Sequence, residues 1–216
     1  MSPKRSAEEL ITSMIDAARD FYRFGWMHAA SGNLSARKNK SSILITASRV
    51  HKRDLTPEHF VTIDLKGSSD DDATPSMDTE VHLALHRLTN GTGAVYHVHH
   101  LAAALCSDRD QKAGRTFFDS LEMLRAFGIE EEGATAEIPI LDNLRDRSEM
   151  ADQIEEVLKE GLRIPCINVK HHGIYVWGPD PEATRRHLEA CAYLFAFSQA
   201  RPMHPADPTS VSGFRF

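Results

Sequence analysis

Three histidines at two separate places in the sequence form a candidate metal site. His97 and His99 lie in an apolar run, residues 93–100, that predicts a β-strand. Side chains alternate between the two faces of a strand, so His97 and His99 point to one side and His100 to the other. His172 lies at a predicted turn between two later strands, where it can approach the first pair. Three neutral imidazoles that leave coordination positions open are typical of a catalytic zinc site.

The histidine content favours a metal site over a purely structural explanation. The chain has 12 histidines among 216 residues, and five of them form two tight groups, His97/His99/His100 and His171/His172. A lone histidine is usually a hydrogen-bonded core or surface residue, and that alternative applies to each one taken singly. The grouping, with His-x-His on a strand, predicts one bound divalent metal ion, and we predict zinc.

Two acidic residues have ordinary structural explanations on the local pattern alone. Glu122 lies in a predicted helix over about residues 119–127, three positions before an arginine. That spacing is typical of a surface ion pair worth a few tenths of a kcal/mol. Asp78, or the adjacent Thr79, is predicted to cap a helix, because Asp and Thr are common at that position.

Loop segments rich in small hydrogen-bonding groups offer a candidate phosphate site. Ser31-Gly32-Asn33 and Thr46-Ala47-Ser48 combine hydroxyls with backbone amides, and Arg49 and Lys52 carry positive charge nearby. Most runs of this composition are simply turns. Both interpretations stand at this point.

Periodicity and capping signals predict alternating helices and strands in one domain spanning residues 1–216. A capping box at Ser6 and Glu9 begins the first helix, and Gly25 ends it. A loop over residues 26–35 follows. Further strands are predicted over residues 41–46, 60–65, 93–100, 137–141, 166–170 and 174–177, and further helices over residues 78–88, 101–106, 119–127, 148–160 and 181–200. The tail, residues 201–216, is predicted to be irregular.

Composition excludes several classes of function. The net charge is −6, with 41% hydrophobic and 26% charged residues, and no basic stripe is present, so nucleic acid and anionic membranes are poor partners. The N-terminal residues lack an apolar segment, so no secretory signal is expected, and no apolar run reaches the roughly 18–20 residues of a membrane span. The three cysteines, Cys106, Cys166 and Cys191, are predicted to be buried free thiols. These features predict a cytoplasmic enzyme.

The order and spacing of the motifs resemble the class II aldolase/adducin-like family over about residues 7–200. The segments that carry the likeness are Ser31–Asn33, Ile45–Ser48, Pro75–His82, Ala94–His99 and His172–Gly173. The resemblance implies an α/β fold with three layers, α/β/α, around a central and mostly antiparallel sheet. It also implies a homotetramer with active sites near the subunit interfaces.

Within the family, the chain resembles the dehydratases that act on 5-methylthioribulose 1-phosphate in methionine salvage. The segments that carry this likeness are Gly25–Arg37, Leu121–Leu124, Ile138–Asn143, His172–Gly178 and Arg186–Ala190. The resemblance implies that His97, His99 and His172 bind one zinc ion per subunit and that Glu122 is the acid/base. Substrate and phosphate contacts are predicted at Ser31, Gly32, Asn33, Thr46, Ser48, Ser76, Asp78 and Thr79.

Alternative functions, and positions that depart from the family pattern, remain at this point. A sugar-phosphate aldolase or ribulose-phosphate 4-epimerase would use the same metal site, whereas a non-catalytic adducin-like module would lack the three histidines. Arg49 stands where the family usually has glycine, and Asp78 stands where the aldolases carry glutamate. His171 replaces a more usual glycine or arginine.

Overall fold

Eight β-strands form one sheet at the centre of the computed structural model, which describes residues 5–69, 71–89 and 91–200. The strands are β1 (Asn33–Arg37), β2 (Ser42–Thr46), β3 (Phe60–Asp64), β4 (Ala94–Val98), β5 (Arg115–Asp119), β6 (Thr135–Leu141), β7 (Cys166–Val169) and β8 (Gly173–Gly178). Their order across the sheet is β3-β2-β1-β4-β8-β7-β6-β5. Every pairing is antiparallel except that of β6 with β7, which confirms the predicted, mostly antiparallel sheet.

Helices cover both faces of this sheet and give the predicted three layers. The helices are α1 (Ala7–Arg23), α2 (Thr79–Leu88), α3 (Leu101–Arg109), α4 (Arg147–Lys159) and α5 (Pro181–Ala200). Alternation along β4 separates two cores: Tyr96 and Val98 pack with α1, α3 and α5, and Val95 packs with α2 and α4. Among the described residues no helix has both the length and the apolar character needed to cross a membrane.

The first helix shows how local sequence sets an element's limits. The Glu9 amide donates to Ser6 Oγ at 3.1 Å, and the Ser6 amide donates to the Glu9 carboxylate at 2.6 Å, which is the predicted capping box. Gly25 follows the helix with φ of 80°, a conformation that glycine adopts without steric cost. The predicted start and end of α1 are therefore both confirmed.

Two strands were not predicted. The predicted loop over residues 26–35 is wrong from Asn33 onward, where β1 begins. Its residues include no β-branched or aromatic side chain, yet β1 pairs with β2 on one edge and with β4 on the other. The predicted helix over residues 119–127 is also wrong at its start, because β5 pairs with β6 up to Asp119. Only Glu122–Phe127 is helical there, as a short 3-10 segment. The predicted irregular tail lies outside the described residues.

The direction of the strands distinguishes two ends of the sheet. We call the end where β4 and β7 finish, and where β1 and β8 begin, the histidine end. Because β6 runs parallel to β7, it also finishes there. Because β5 is antiparallel to β6, it finishes at the opposite end, at the edge of the sheet.

Candidate metal centre

Three imidazole nitrogens meet at the histidine end of the sheet. His97 Nε2 lies 3.1 Å from His99 Nε2 and 3.3 Å from His172 Nε2. The three ligand atoms all lie within 4.8 Å of one another. Two ligands about 2.0–2.1 Å from a tetrahedral ion are about 3.3 Å apart, so this spacing fits one zinc-sized cation. The structure thus brings together all three of the predicted ligands.

Two backbone features place these histidines. His97 is the second-last residue of β4, while His99 follows the strand and donates its amide to the Trp26 carbonyl at 2.9 Å. The β7–β8 turn that carries His172 presses closely on the end of β4. A Cβ added to Gly173 would lie 2.1 Å from the carbonyl oxygen of Val98, so only glycine permits this approach.

The hydrogen bonds of His97 fix which of its nitrogens can bind a metal. Its Nδ1 lies 3.0 Å from the carbonyl oxygen of Ile174. A carbonyl only accepts, so Nδ1 carries the proton and Nε2 offers a lone pair to the centre. The imidazole also stacks on the buried Tyr175 ring, with centroids 4.0 Å apart and an interplanar angle of 13°. The orientation of this ligand is therefore fixed in advance.

Burial keeps the three imidazoles in the neutral form that binds metals. Burial lowers the pKa of His97 well below its usual value. It also lowers the pKa of His99 to about 4, with a further contribution from the neighbouring His172. The pKa of His172 is lowered as well, again mainly by burial. At neutral pH the cluster is thus uncharged and its Nε2 lone pairs are free.

Asp78 supplies a negative charge beside the three histidines. It occupies the predicted cap position before α2, but its side chain makes no capping bond. Instead Oδ2 accepts a hydrogen bond from Asn33 Nδ2 at 2.8 Å and lies 3.9 Å from His97 Nε2, while Arg147 Nε lies 2.9 Å from Oδ1. Burial raises the pKa of Asp78, but His97, Asn33 and Arg147 outweigh burial and lower the pKa to about 2.

A buried chain of hydrogen bonds ends on this carboxylate. Because Asn33 donates its amide N–H to Asp78, its oxygen accepts from His82 Nε2. His82 Nδ1 then accepts from the Ser35 hydroxyl at 2.7 Å, and Ser35 Oγ accepts from His86 Nε2 at 2.9 Å. Every donor thus points toward Asp78. This hydrogen-bond chain fixes the position of Asn33, whose side-chain oxygen already accepts a hydrogen bond from His82.

The first candidate phosphate loop lies directly against the centre. A Cβ on Gly32 would meet the His97 carbonyl oxygen at 2.8 Å, and its φ is 73°, so glycine is required there. Ser31 Oγ is buried and has no hydrogen-bond partner among the described residues. An unpaired buried hydroxyl is rare and points to a bound water or ligand group.

The other predicted phosphate contacts lie in two adjoining loops. Ser48 donates its amide to the Thr74 carbonyl at 2.9 Å, which brings the loop before α2 beside the end of β2. Thr46 Oγ1 accepts from a backbone amide of β1 at 3.2 Å and is fully buried. Thr79 Oγ1 donates to the Ser76 carbonyl at 2.6 Å. Ser48, Ser76 and Thr79 remain partly exposed, whereas Thr46 serves the packing of the sheet.

Glu122 is not part of this cluster within one chain. It follows β5, which finishes at the opposite end of the sheet. Its side chain is 84% exposed, and its carboxylate pairs with Arg125 Nε at 3.1 Å, the surface pair expected from the spacing. No hydrogen bond or ion pair among the described residues joins Glu122 to any of the three histidines.

Comparison with known proteins places this site in a family. Residues 12–198 match the family described as Class II Aldolase and Adducin N-terminal domain. The chain belongs to this family. It is 35% identical to methylthioribulose-1-phosphate dehydratase of Microcystis aeruginosa, over 86% of this chain and 92% of that protein. It is 36% identical to the same enzyme of Geobacillus thermodenitrificans, over 86% of each chain.

Solved structures support the fold. L-fuculose-1-phosphate aldolase of Thermus thermophilus superimposes with a TM-score of 0.70 at 24% identity, over 88% of this chain and 93% of that chain. YgbL of Escherichia coli superimposes with a TM-score of 0.71 at 20% identity, over 88% of each chain. This member of the class II aldolase and adducin family therefore has the fold that its sequence predicted.

The backbone of this family member adopts strained, left-handed conformations around the candidate site. Of the five described non-glycine residues with positive φ, three directly adjoin predicted site residues: Ala30, Arg49 and His171. Such conformations cost about 1–3 kcal/mol each and cluster at functional sites. Arg49, with φ of 61°, explains why glycine is usual at this position.

Sequence reasoning missed three residues that support the centre. Arg147 pairs with Asp78, Tyr175 stacks on His97, and His82 holds Asn33. Of these, only His82 had a local signal, because it ends a segment that carries the family likeness. Lys52, which the sequence offered as a positive charge for the phosphate loops, lies buried beside the Ala30 carbonyl.

Proposed function

We propose that this protein is a methylthioribulose-1-phosphate dehydratase of methionine salvage. It removes water from 5-methylthioribulose 1-phosphate and yields 2,3-diketo-5-methylthiopentyl 1-phosphate. The observation that carries this proposal is the convergence of His97, His99 and His172 in a chain 35–36% identical to dehydratases of that name. Three buried free cysteines, Cys106, Cys166 and Cys191, support a reducing, cytoplasmic location.

The donor set fits one divalent metal ion, and we propose zinc. Three neutral imidazoles with Nε2 atoms 3.1 and 3.3 Å apart leave open coordination positions toward the solvent side. When bound there, such an ion supplies a Lewis acid that polarises the substrate's C2 carbonyl and acidifies the C3 proton. Asp78, 3.9 Å from His97 Nε2, adds negative charge that favours the cation.

The dehydration needs a proton donor for the leaving hydroxyl. Loss of the C3 proton and the C4 hydroxyl releases one water and leaves an enol across C3 and C4. Protonation of C4 and loss of the enol proton then give the C3 carbonyl of the diketone. We assign Glu122 to proton transfer at the C4 oxygen, a role that typically contributes about 10²–10⁴-fold to rate.

Because Glu122 lies at the far end of its own sheet, we propose that it serves the histidines of a neighbouring copy. A homotetramer with sites at its interfaces would supply this arrangement. Two apolar side chains of α3, the helix that follows the histidine pair, lie exposed: Leu101 is 73% exposed and Leu105 is 45% exposed. A second copy covering them would bury apolar surface beside the centre.

A product assay tests the reaction. The zinc-loaded protein is offered 5-methylthioribulose 1-phosphate beside fuculose 1-phosphate and ribulose phosphate. We expect a diketone phosphate from the first substrate without carbon–carbon cleavage. Release of a two- or three-carbon fragment, or epimerisation of ribulose phosphate, would instead establish the alternative aldolase or epimerase.

Glu122→Gln tests the acid/base assignment. We expect turnover to fall about 10²–10⁴-fold, while metal content and thermal stability stay unchanged because the side chain is 84% exposed. Glu132→Gln, another exposed glutamate in the same loop region, is the matched control and should keep full activity. Near-normal turnover of Glu122→Gln would show that the assignment is wrong.

A further inference from the structure

Lys52 is a buried cation whose charge no described carboxylate neutralises. It is 2% exposed, and its Nζ donates to the carbonyl oxygens of Ala30 at 3.1 Å and Val50 at 2.8 Å. Burial lowers the pKa of Lys52 to about 8, with no opposing carboxylate beside it. An ammonium has three donors, so one N–H remains for another acceptor.

This ammonium joins the two loops that carry the candidate phosphate contacts. Ala30 directly precedes Ser31, and Val50 follows Ser48 by two residues. Each loop contains a left-handed residue, Ala30 with φ of 64° and Arg49 with φ of 61°. Such conformations persist only where the surroundings impose them. Lys52 therefore lies where two strained loops meet.

Other unsatisfied features are found at the same meeting point. The Ser31 hydroxyl is buried without a partner among the described residues. Gly32, the neighbour of Ser31, packs so closely on His97 that an added Cβ would lie 2.8 Å from the His97 carbonyl oxygen. A positive charge, a spare N–H and a spare hydroxyl thus adjoin the histidine centre.

We propose that Lys52 is the counter-charge for the phosphate group of the substrate, with the Ser31 hydroxyl beside it. The inference rests on the proposed function, since a phosphorylated ketose brings the anion. An ammonium buried without a counter-ion is costly, and an incoming phosphate turns it into a charge-assisted pair.

A simpler alternative is that Lys52 only fastens the two loops together. Its two bonds to carbonyl oxygens would suffice for that role, and a neutral donor could make them. Lys52→Gln keeps an N–H donor and removes the charge, whereas Lys52→Arg keeps the charge. Lys112→Met, at an exposed lysine, is the control for a general change in net charge.

The test measures inorganic phosphate binding from the rise in thermal midpoint at constant ionic strength, with sodium chloride as the balancing salt. We expect Lys52→Gln to weaken phosphate binding about 10- to 100-fold, and to raise KM for the phosphorylated ketose with zinc content unchanged. Lys52→Arg should bind phosphate within a few-fold of the wild-type affinity, and Lys112→Met should bind it as tightly as the wild-type protein.

Two results would overturn the proposal: no phosphate effect on the wild-type protein, or the same effect on Lys52→Gln. If Lys52→Gln fails to fold, Lys52→Arg decides, because loss of phosphate binding with the charge retained contradicts the role of that charge. Phosphate binding is measured without turnover. A protein that binds phosphate through Lys52 but dehydrates no ketose would therefore refute the proposed function alone.

Discussion

The histidine end of the sheet and the segment around Glu122 differ in almost every physical property. At the histidine end, His97 is fully buried, stacked on Tyr175 and hydrogen-bonded through Nδ1. Glu122, by contrast, is 84% exposed on a short 3-10 segment, and its described ion pair is with another exposed side chain, that of Arg125. Contacts within a single chain hold the histidines in place, whereas no buried contact among the described residues fixes the side chain of Glu122.

This difference separates metal binding from acid/base chemistry. A ligand set needs fixed lone pairs, and strand geometry with a tight turn supplies them inside one subunit. An exposed carboxylate gains a fixed position only when another surface packs over it. We therefore expect metal binding to survive in an isolated subunit, whereas turnover depends on assembly.

His97→Ala should give the largest effect, because it removes the ligand that lies between the other two. We expect loss of bound zinc by elemental analysis and loss of turnover. His100→Ala is the matched control: His100 points away and accepts from the Ala103 amide at 3.3 Å as the cap of α3. That variant should lose about 1 kcal/mol of stability and keep its zinc. Full zinc content in His97→Ala would refute the ligand assignment.

Asp78→Asn should give the next largest effect. The carboxylate lies 3.9 Å from His97 Nε2, so its charge stabilises a cation at the centre. We expect zinc affinity, measured by competition with a chelating dye, to fall about 10- to 100-fold. Asp108→Asn removes an exposed carboxylate that pairs with His171, next to His172. This control should bind zinc normally, and equal affinity in both variants would exclude a role for Asp78.

Acid should destabilise the protein by protonating the histidines of the buried hydrogen-bond chain at the histidine end. Burial lowers the pKa of His82 to about 4 and of His86 to about 3, from an ordinary value near 6.5. The unfolded chain then binds more protons between about pH 3 and 6.5, so stability falls as the pH falls through that window. Each histidine contributes up to about 1.4 kcal/mol per pH unit. Urea unfolding of metal-free His86→Gln should show a shallower pH dependence; an unchanged slope would contradict this explanation.

The candidate metal ligands were predictable because their signals are local. The i, i+2 spacing of His97 and His99 at the end of β4, and the glycine that begins β8 directly after His172, each follow from a few neighbouring residues. Arg147 was not predictable, because it meets Asp78 across 69 positions of sequence and only the packing of α2 on α4 brings them together.

The missed strands have a similar cause. β1 (Asn-Leu-Ser-Ala-Arg) has no β-branched or aromatic residue, which are the types enriched in strands. β5, at the sheet edge, buries Thr116 and exposes Phe117, so its burial alternates although its apolar residues do not. Glu122 shows the opposite limit. Its surface pair with Arg125 was predictable from spacing, but a role for it came only from family resemblance.

Mixed oligomers test the central claim, that the histidines of one copy work with Glu122 of another. His97→Ala and Glu122→Gln are co-expressed with different tags, and assemblies containing both are purified. Each variant alone should be inactive. If the two halves of a site come from two copies, random assembly restores about a quarter of the sites and a similar share of wild-type turnover. Mixed assemblies as inactive as either parent would contradict the account.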